Sequence, residues 1–167
     1  SLGVEKVAIS SAALTDPTLV TAIAEEIGRQ SVVVVLDHKH RMLSKNQEVW
    51  THNGTRNTKR GVLEVAIEMQ ELGAGEIVIN SIDNDGRMKG YDLALSAKLR
   101  EALDIPITVL GGCGSLEHMR EIVFNCGVVG IAAGSFFVFK GPYRAVLISY
   151  PNDQQKTDVV YSALPKN

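Results

Sequence analysis

The chain has 167 residues, of which 45% are hydrophobic and 22% charged, a composition typical of a folded globular domain and not of a disordered one. Its formal net charge of -2 and its pI near 6.1 provide no overall positive field for nucleic acid or an anionic membrane, so small molecules or proteins are the expected partners. No apolar run reaches the roughly 18 residues that a membrane span needs, and no secretory leader is evident. These features predict a cytoplasmic protein.

The first half of the chain alternates short β-rich segments with amphipathic ones. It predicts a strand at 4–10, a helix at 16–30 and a strand, "SVVVVLD", at 31–37. The uninterrupted β-branched run is typical of a parallel strand that is buried on both faces. The segment "EVWTHNGTRNT" at 48–58 predicts a β-hairpin that turns at Asn53-Gly54.

The second half continues the alternation. The predicted elements are a helix at about 61–72, a strand at 76–81, a helix at 91–103, a strand at 106–112, a helix at 115–125 and a strand at 129–135. After them only "YRAVLISY" at 143–150 suggests another extended segment. The pattern therefore predicts five parallel strands joined by four helices.

An internal repeat supports this reading. The segments "GVEKVAIS" at 3–10, "GAGEIVIN" at 73–80 and "GVVGIAAG" at 127–134 each place a glycine before an apolar strand. Such a recurrence indicates that one helix-to-strand corner is reused. Five strands fit either a doubly wound sheet or the latter part of a (β/α)8 barrel, which normally needs eight strands and about 250 residues. A five-stranded piece of a barrel would leave its edges unpaired.

The polar residues that could carry chemistry follow the predicted strands, where parallel α/β sheets place ligands and catalytic groups. They are Ser10 and Ser11, Asp37, Asn80 with Ser81, Asp83 and Asp85, Gly111 with Gly112, and Gly134 with Ser135. Asp37 is the sharpest candidate for general acid/base catalysis, because a carboxylate that ends a valine run lies at the mouth of an apolar cavity. The alternative is a helix N-cap or a solvated loop carboxylate.

Two glycine-containing turns predict a phosphate site. The segments "GGCGS" at 111–115 and "AAGSFF" at 132–137 follow the last two strands and expose backbone N–H groups beside helices. Many barrels bind phosphate in the corresponding loops. In "SIDNDG" at 81–86, Asp85 is a candidate for substrate contact or for plain turn formation.

The remaining charged and thiol residues give weaker signals. Lys6 and Glu76 occupy the same place in the internal repeat, at the amino end of the sheet, and form either surface charges or an interior ion pair. The four histidines and two cysteines, His38, His40, His52, His118, Cys113 and Cys126, show no metal-ligand spacing. The sequence therefore predicts reduced thiols, no metal and no cofactor.

Five segments, taken in order, resemble the cyclase subunit of imidazole glycerol phosphate synthase, the HisF family. They are "GVEKVAISSAAL" (3–14), "VVVVLDHK" (32–39), "GAGEIVINSIDNDGRMKGYD" (73–92), "GGCGSLEH" (111–118) and "AAGSFF" (132–137). The resemblance covers residues 3–139 and implies about the fourth to eighth strands of a (β/α)8 TIM barrel, with the first three strands absent. Residues 1–167 would then form one partial barrel domain with a divergent tail at 140–167.

The resemblance also implies an activity. Family members take ammonia from a glutaminase subunit through the barrel axis and use it to split and cyclise a bis-phosphorylated ribulosyl nucleotide. Asp37 matches one of two catalytic aspartates, the other of which belongs to the absent first strand. The implied ligand-binding residues are Gly111, Gly112, Gly134 and Ser135 for one phosphate, Ser10 and Ser11 for the other, and Asp85 with Asn80 in the substrate cleft. Lys6 and Glu76 match residues that gate the ammonia entrance, and Glu5 matches the interface with the glutaminase.

Some residues depart from the family pattern. The family usually has Asn-Thr or Asn-Ser at Ser10-Ser11, Thr at Asn80 and Ala at Cys113. Its last helix is not evident in the tail, which is similar instead to a paralogue in surface-polysaccharide clusters. That paralogue is thought to supply ammonia for converting an acetamido sugar into an acetamidino sugar.

Three functional hypotheses follow. The first is an ammonia-using synthase subunit that is inactive as this chain alone. The second is a non-catalytic half-barrel that binds phosphorylated ligands and forms a homodimer through its open edges. The third is another phosphate-binding barrel enzyme such as an isomerase, which would leave Lys6 and Glu76 without a purpose.

Overall fold

The computed structural model describes residues 3–40 and 47–163. Residues 1–2, 41–46 and 164–167, the last of which end the predicted tail, lie outside the described residues. The first elements are β1 (Val7–Ile9), α1 (Ser11–Thr15), α2 (Thr18–Ile27), β2 (Val32–His40), β3 (Gln47–Thr51), β4 (Arg56–Gly61) and α3 (Val62–Leu72). The later elements are β5 (Glu76–Ser81), α4 (Leu93–Ala102), β6 (Ile107–Leu110), α5 (Leu116–Cys126), β7 (Gly130–Ile131), α6 (Ser135–Val138), β8 (Phe139–Lys140), β9 (Ala145–Val146) and α7 (Asp153–Ala163).

The sheet is built around β2. Within the described residues β2 pairs in parallel with β1 and with β5, and β6 and β7 extend the parallel order beyond β5. The carboxyl half of β2 also pairs with the antiparallel hairpin β3–β4. The predicted α/β fold with mostly parallel strands is confirmed, and so is the hairpin at Asn53-Gly54, whose two residues have φ of 56° and 72°.

Side chains along the parallel strands alternate between two environments. On the face covered by helices, Val34 and Ile77 are fully buried. On the opposite face Val33 is buried, but the apolar side chains of Val35, Val78 and Leu110 remain half-buried, so the prediction that β2 is buried on both faces holds at Val33 and fails at Val35. We call it the open face; it comprises Val33, Val35, Asp37, Glu76, Val78, Asn80, Thr108 and Leu110.

The repeated corner between helix and strand depends on glycine. Gly3, Gly73 and Gly127 open the three repeat segments and have φ of 64°, 114° and 72°. This left-handed backbone is strained for other residues. Gly73 and Gly127 close α3 and α5, and their N–H groups donate to carbonyl oxygens of the preceding turn. Because ψ is 13° at Gly73 and -157° at Gly127, the sequence repeat reflects the reuse of a positive-φ glycine and not of one corner geometry.

The C-terminal segment differs from the prediction in two respects. β7 is shorter than the predicted strand at 129–135, because among the described strands only β6 pairs with it. The inference that a last helix is missing from the tail is wrong, since α7 packs against α5. α7 is mostly polar, and its buried side chains are Val159 and Ala163 alone, so it carries no clear amphipathic stripe.

Two neighbouring valines of β2, one on each face of the sheet, allow the contributions of the two faces to stability to be compared. Val34→Ala removes methyl groups from the closed core and should lower the free energy of unfolding by about 2 kcal/mol, whereas Val35→Ala on the open face should cost about 1 kcal/mol or less. Urea unfolding of the two variants measures both values. If Val35→Ala costs as much as Val34→Ala, the open face is covered in solution.

Candidate active site

Asp37 and Asn80 form the centre of the candidate site, at the carboxyl ends of β2 and β5. They are direct partners in the parallel register, and the Asn80 Nδ2 group donates a hydrogen bond of 2.8 Å to Asp37 Oδ1. Because the amide nitrogen faces the carboxylate, Asn80 Oδ1 is turned away, toward Gly111. Among the described residues, the second carboxylate oxygen of Asp37 is left for other partners on the open face.

Gly111 and Gly112 follow β6 and lie against neighbouring backbone. A Cβ on Gly111 would come within 2.6 Å of the Ser81 carbonyl oxygen, and one on Gly112 within 2.0 Å of the Gly90 carbonyl oxygen. The Gly112 carbonyl in turn accepts a hydrogen bond of 2.8 Å from the Gly90 N–H. These glycines are therefore needed for packing between loops, whether or not a phosphate also binds there.

Gly134 and Ser135 follow β7 and have more open surroundings. Gly134 is exposed, and a Cβ built on it would meet no atom within 4 Å. The Ser135 Oγ accepts a hydrogen bond of 3.5 Å from Arg144 Nη2, and a Cβ on Gly86 would lie 4.0 Å from the same hydroxyl oxygen. This turn has room for a ligand and presents a hydroxyl and a cation beside it.

Ser10 and Ser11 lie at the end of β1, on the other side of Asp37 from the glycine turns. The Ser11 hydroxyl oxygen accepts a hydrogen bond of 2.9 Å from the backbone N–H of His52. Ser11 therefore joins the β1 end to the turn of the β3–β4 hairpin, a role that the sequence did not predict. Ser10 and Ser11 are both half-buried.

The loop after β5 contains two aspartates with different surroundings. The Asp83 carboxylate accepts a hydrogen bond of 2.8 Å from the His40 N–H and so holds the end of β2. Asp85 is exposed, and its backbone N–H donates to the Ser81 carbonyl oxygen over 2.9 Å. The structure thus leaves the Asp85 carboxylate facing solvent near the site.

An ion pair lies at the opposite, amino end of the open face. Lys6 Nζ is 2.5 Å from Glu76 Oε2, and the Thr108 hydroxyl donates a hydrogen bond of 2.7 Å to Glu76 Oε1. Burial acts to raise the pKa of Glu76, but the hydrogen bonds from Lys6 and Thr108 outweigh it and hold that pKa below its usual value. Glu5, the predicted contact with a partner, is exposed beside this pair.

His38 lies next to Asp37 but points to the helix-covered side of the sheet. It is 1% exposed, and its Nδ1 atom is buried with no hydrogen-bond partner among the described residues. Burial lowers the pKa of His38, and the carboxylate of Asp92 only partly opposes this effect. The imidazole is therefore kept neutral inside the protein.

The structure thus assembles the predicted residues into two groups. Asp37 and Asn80 are in contact at the carboxyl end, and Lys6 and Glu76 are in contact at the amino end. Thr108 was missed although strand alternation would have placed it on the open face beside Glu76. Among the described residues, no three His, Cys, Asp or Glu side chains are grouped to hold a metal ion.

The buried His38 predicts loss of stability in weak acid. Below pH 6.5 the unfolded chain takes up a proton at this histidine while the folded chain resists it, so the unfolded state binds more protons. The free energy of unfolding should therefore fall as the pH drops from 6.5, with a slope of at most about 1.4 kcal/mol per pH unit. Urea unfolding at several pH values measures the slope.

A His38→Gln variant tests the origin of this slope. Its stability should change less between pH 6.5 and 5 than that of the unmodified chain. A His52→Gln variant, at an exposed histidine on the hairpin turn, shows whether loss of any histidine has the same effect. An unchanged slope in His38→Gln would contradict the assignment.

No helix in the described ranges is long and apolar enough to cross a bilayer. The model of the histidine biosynthesis protein family matches residues 1–143. The chain is 49% identical over 156 residues to the "Putative imidazole glycerol phosphate synthase subunit HisF" of Leptospira borgpetersenii, a match covering 93% of this chain and 61% of that protein. It is 48% identical over 155 residues to the "Putative imidazole glycerol phosphate synthase subunit hisF3" of Vibrio vulnificus, covering 93% and 60%.

A third relative, the "Imidazole glycerol phosphate synthase subunit HisF" of Hyphomonas neptunium, is 42% identical over 137 residues, covering 82% of this chain and 54% of that protein. The chain thus spans between 54% and 61% of the length of these three relatives. Because the family match runs through all the parallel strands of the described sheet, the chain belongs to the histidine biosynthesis protein family, a family of TIM barrels.

Proposed function

We propose that this chain is the C-terminal part, about strands four to eight, of a barrel subunit that uses ammonia in an imidazole glycerol phosphate synthase reaction. Its substrate is a bis-phosphorylated ribulosyl nucleotide, and a HisH-type glutaminase supplies the ammonia. The observation that carries the proposal is the open face, which has a hydrogen-bonded carboxylate at one end and an ion pair at the other. Catalysis requires the rest of the barrel, so the chain alone is inactive.

The spacing along β5 relates the two ends. Glu76, Val78 and Asn80 alternate onto the open face, and four residues of extended chain correspond to about 13 Å. A small neutral molecule that passes Glu76 would move along the apolar side chains of Val35 and Val78 before it meets Asp37. An apolar path favours neutral ammonia over ammonium, because charge is costly to desolvate.

Asp37 acts as the general acid/base in this proposal. Asn80 binds one of its carboxylate oxygens, which orients the carboxylate and leaves the other oxygen to accept or return a proton as ammonia adds to the substrate. Gly134 and Ser135 bind one terminal phosphate, with Gly111 and Gly112 nearby, and Ser10 with Ser11 binds the other. Asp85 contacts the substrate between them.

Asp37→Asn tests the catalytic role. The assay combines this chain with the part of the Leptospira borgpetersenii relative that the match leaves out, supplied as a separate polypeptide, and measures substrate loss with ammonium salt. The substitution keeps the size of the side chain but removes the base, so the rate should fall by about 100-fold or more.

Asp153→Asn is the matched control, because that carboxylate is fully exposed on α7, and its rate should equal the unmodified rate. An Asp37→Asn variant with unmodified activity would overturn the assignment of the base. Full turnover by the 167-residue chain alone would overturn the claim that the rest of the barrel is required.

Glu76→Gln tests the ammonia entrance. It leaves the Lys6 charge without its partner, so glutamine-driven activity should fall by about tenfold relative to ammonium-driven activity, a change equivalent to about 1.4 kcal/mol. Thr108→Val removes the second hydrogen bond but keeps the ion pair, and it should change this ratio less. Equal losses of both activities in Glu76→Gln would argue against an entrance at this position.

Two other functions have an observation in their favour. The half-buried apolar side chains of the open face would suit a non-catalytic half-barrel that pairs with a second copy. A subunit that supplies ammonia for acetamidino-sugar formation would fit two departures from the family pattern. One is Asn80, and the other is the tail, most of which lies beyond residue 143, where the family match ends. The comparison of Val34→Ala with Val35→Ala tests the half-barrel, because it reports whether the open face is covered in solution. The assay of substrate loss tests the acetamidino-sugar function, because it reports whether the subunit has cyclase activity.

A further inference from the structure

Arg144 is placed beside the turn that follows β7. It lies in the turn between β8 and β9, and its Nη2 group donates a hydrogen bond of 3.5 Å to the Ser135 hydroxyl oxygen. The contact joins residues that are nine positions apart in the sequence. It brings a guanidinium to Ser135, the residue that follows the exposed Gly134.

The position of the guanidinium is set by two local features. Its central carbon lies 4.6 Å from the centre of the Phe139 ring, within the range of a cation–π contact. The Arg144 backbone has φ of 50°, a left-handed conformation that glycine or asparagine adopts at lower cost. The chain thus accepts some backbone strain at a position where the side chain stacks on Phe139 and reaches Ser135.

The charge of Arg144 is not matched by an acidic side chain. Within the described ranges, none of the ion pairs involves Arg144. A guanidinium has five N–H donors, and a single long bond to a neutral hydroxyl engages one of them. A Cβ on the neighbouring Gly134 would meet no atom within 4 Å, so the turn that this guanidinium reaches has room for a ligand.

We propose that Arg144 is a further binding residue for the phosphate that the proposed function places at Gly134 and Ser135. The inference rests on that proposed function and adds a cation to a site otherwise made of backbone and hydroxyl groups. Arginine suits this role because its planar fork donates two parallel hydrogen bonds to one phosphate. The family-model match ends at residue 143, so Arg144 lies one residue beyond it, within the longer stretch over which the chain matches the Leptospira borgpetersenii and Vibrio vulnificus relatives.

The test is a titration of the 167-residue chain with inorganic phosphate, followed by ¹⁵N NMR at constant ionic strength. The Ser135 amide and the Arg144 Nε–H signals should shift and saturate together. Arg144→Gln should raise the dissociation constant about tenfold, as expected for loss of a charged hydrogen bond. Arg144→Asn should do the same, and asparagine tolerates the left-handed backbone, so backbone strain at this position does not account for the result.

Lys140→Gln is the matched control. Lys140 lies in the same hairpin, 5.3 Å from the Phe136 ring centre, and its loss should leave the dissociation constant unchanged. If Ser135→Ala weakens binding but both Arg144 variants bind as the unmodified chain does, the inference about Arg144 is wrong and the phosphate site stands. If the Ser135 signal of the unmodified chain does not respond to phosphate, both the inference and the proposed phosphate site are wrong.

Discussion

The parallel register between β2 and β5 is the constraint on which both the core and the candidate site depend. Side chains of a strand alternate between its two faces, so one register decides which residues meet the helices and which meet the open face. Here it pairs Val34 with Ile77 in the core and Asp37 with Asn80 at the site. A shift by one residue would put Asp37 among the helices and bring an apolar side chain to the site.

The same alternation buries a polar side chain on each of the two strands, one residue after the site. His38 follows Asp37 on β2, and Ser81 follows Asn80 on β5. The two residues are partners in the parallel register, and both side chains are buried in the helix-covered core. His38 Nδ1 and Ser81 Oγ have no hydrogen-bond partner among the described residues, and buried polar atoms without partners destabilise a fold. Because both strands end in two successive polar residues, one polar pair lies at the site and the other lies in the protein interior.

Much of the fold followed from local sequence signals, because those signals act within a few residues. The valine run identified β2, Asn53-Gly54 identified the hairpin, and repeated glycines identified the corners between helices and strands. α7 escaped detection because its packing on α5 needs few apolar side chains. The length of β7 depends on whether a neighbouring strand pairs with it, which its own sequence does not encode.

The candidate site was predictable to the extent that it lies at strand ends. Asp37 and Asn80 were identified by position, and the register explains why they touch. The contacts of Ser11 with His52 and of Ser135 with Arg144 join a strand end to a hairpin turn. Such contacts depend on how a hairpin folds back over the sheet, so composition and periodicity give no sign of them.

The close approach of two loops at the rim of the site limits how the sequence can diverge during evolution. Gly112 lies against the Gly90 carbonyl oxygen, and a Cβ on Gly114 would come within 2.3 Å of the Met88 carbonyl oxygen. The two loops therefore behave as one interlocked piece, and lengthening either would force the other to move. Variation in ligand preference is easier to accommodate at the turn of the β3–β4 hairpin, which contacts the site through the His52 N–H, and in the tail, which contacts it through the Arg144 side chain. Divergence between relatives with different substrates should therefore concentrate in those two segments, while the rim is inherited as a unit.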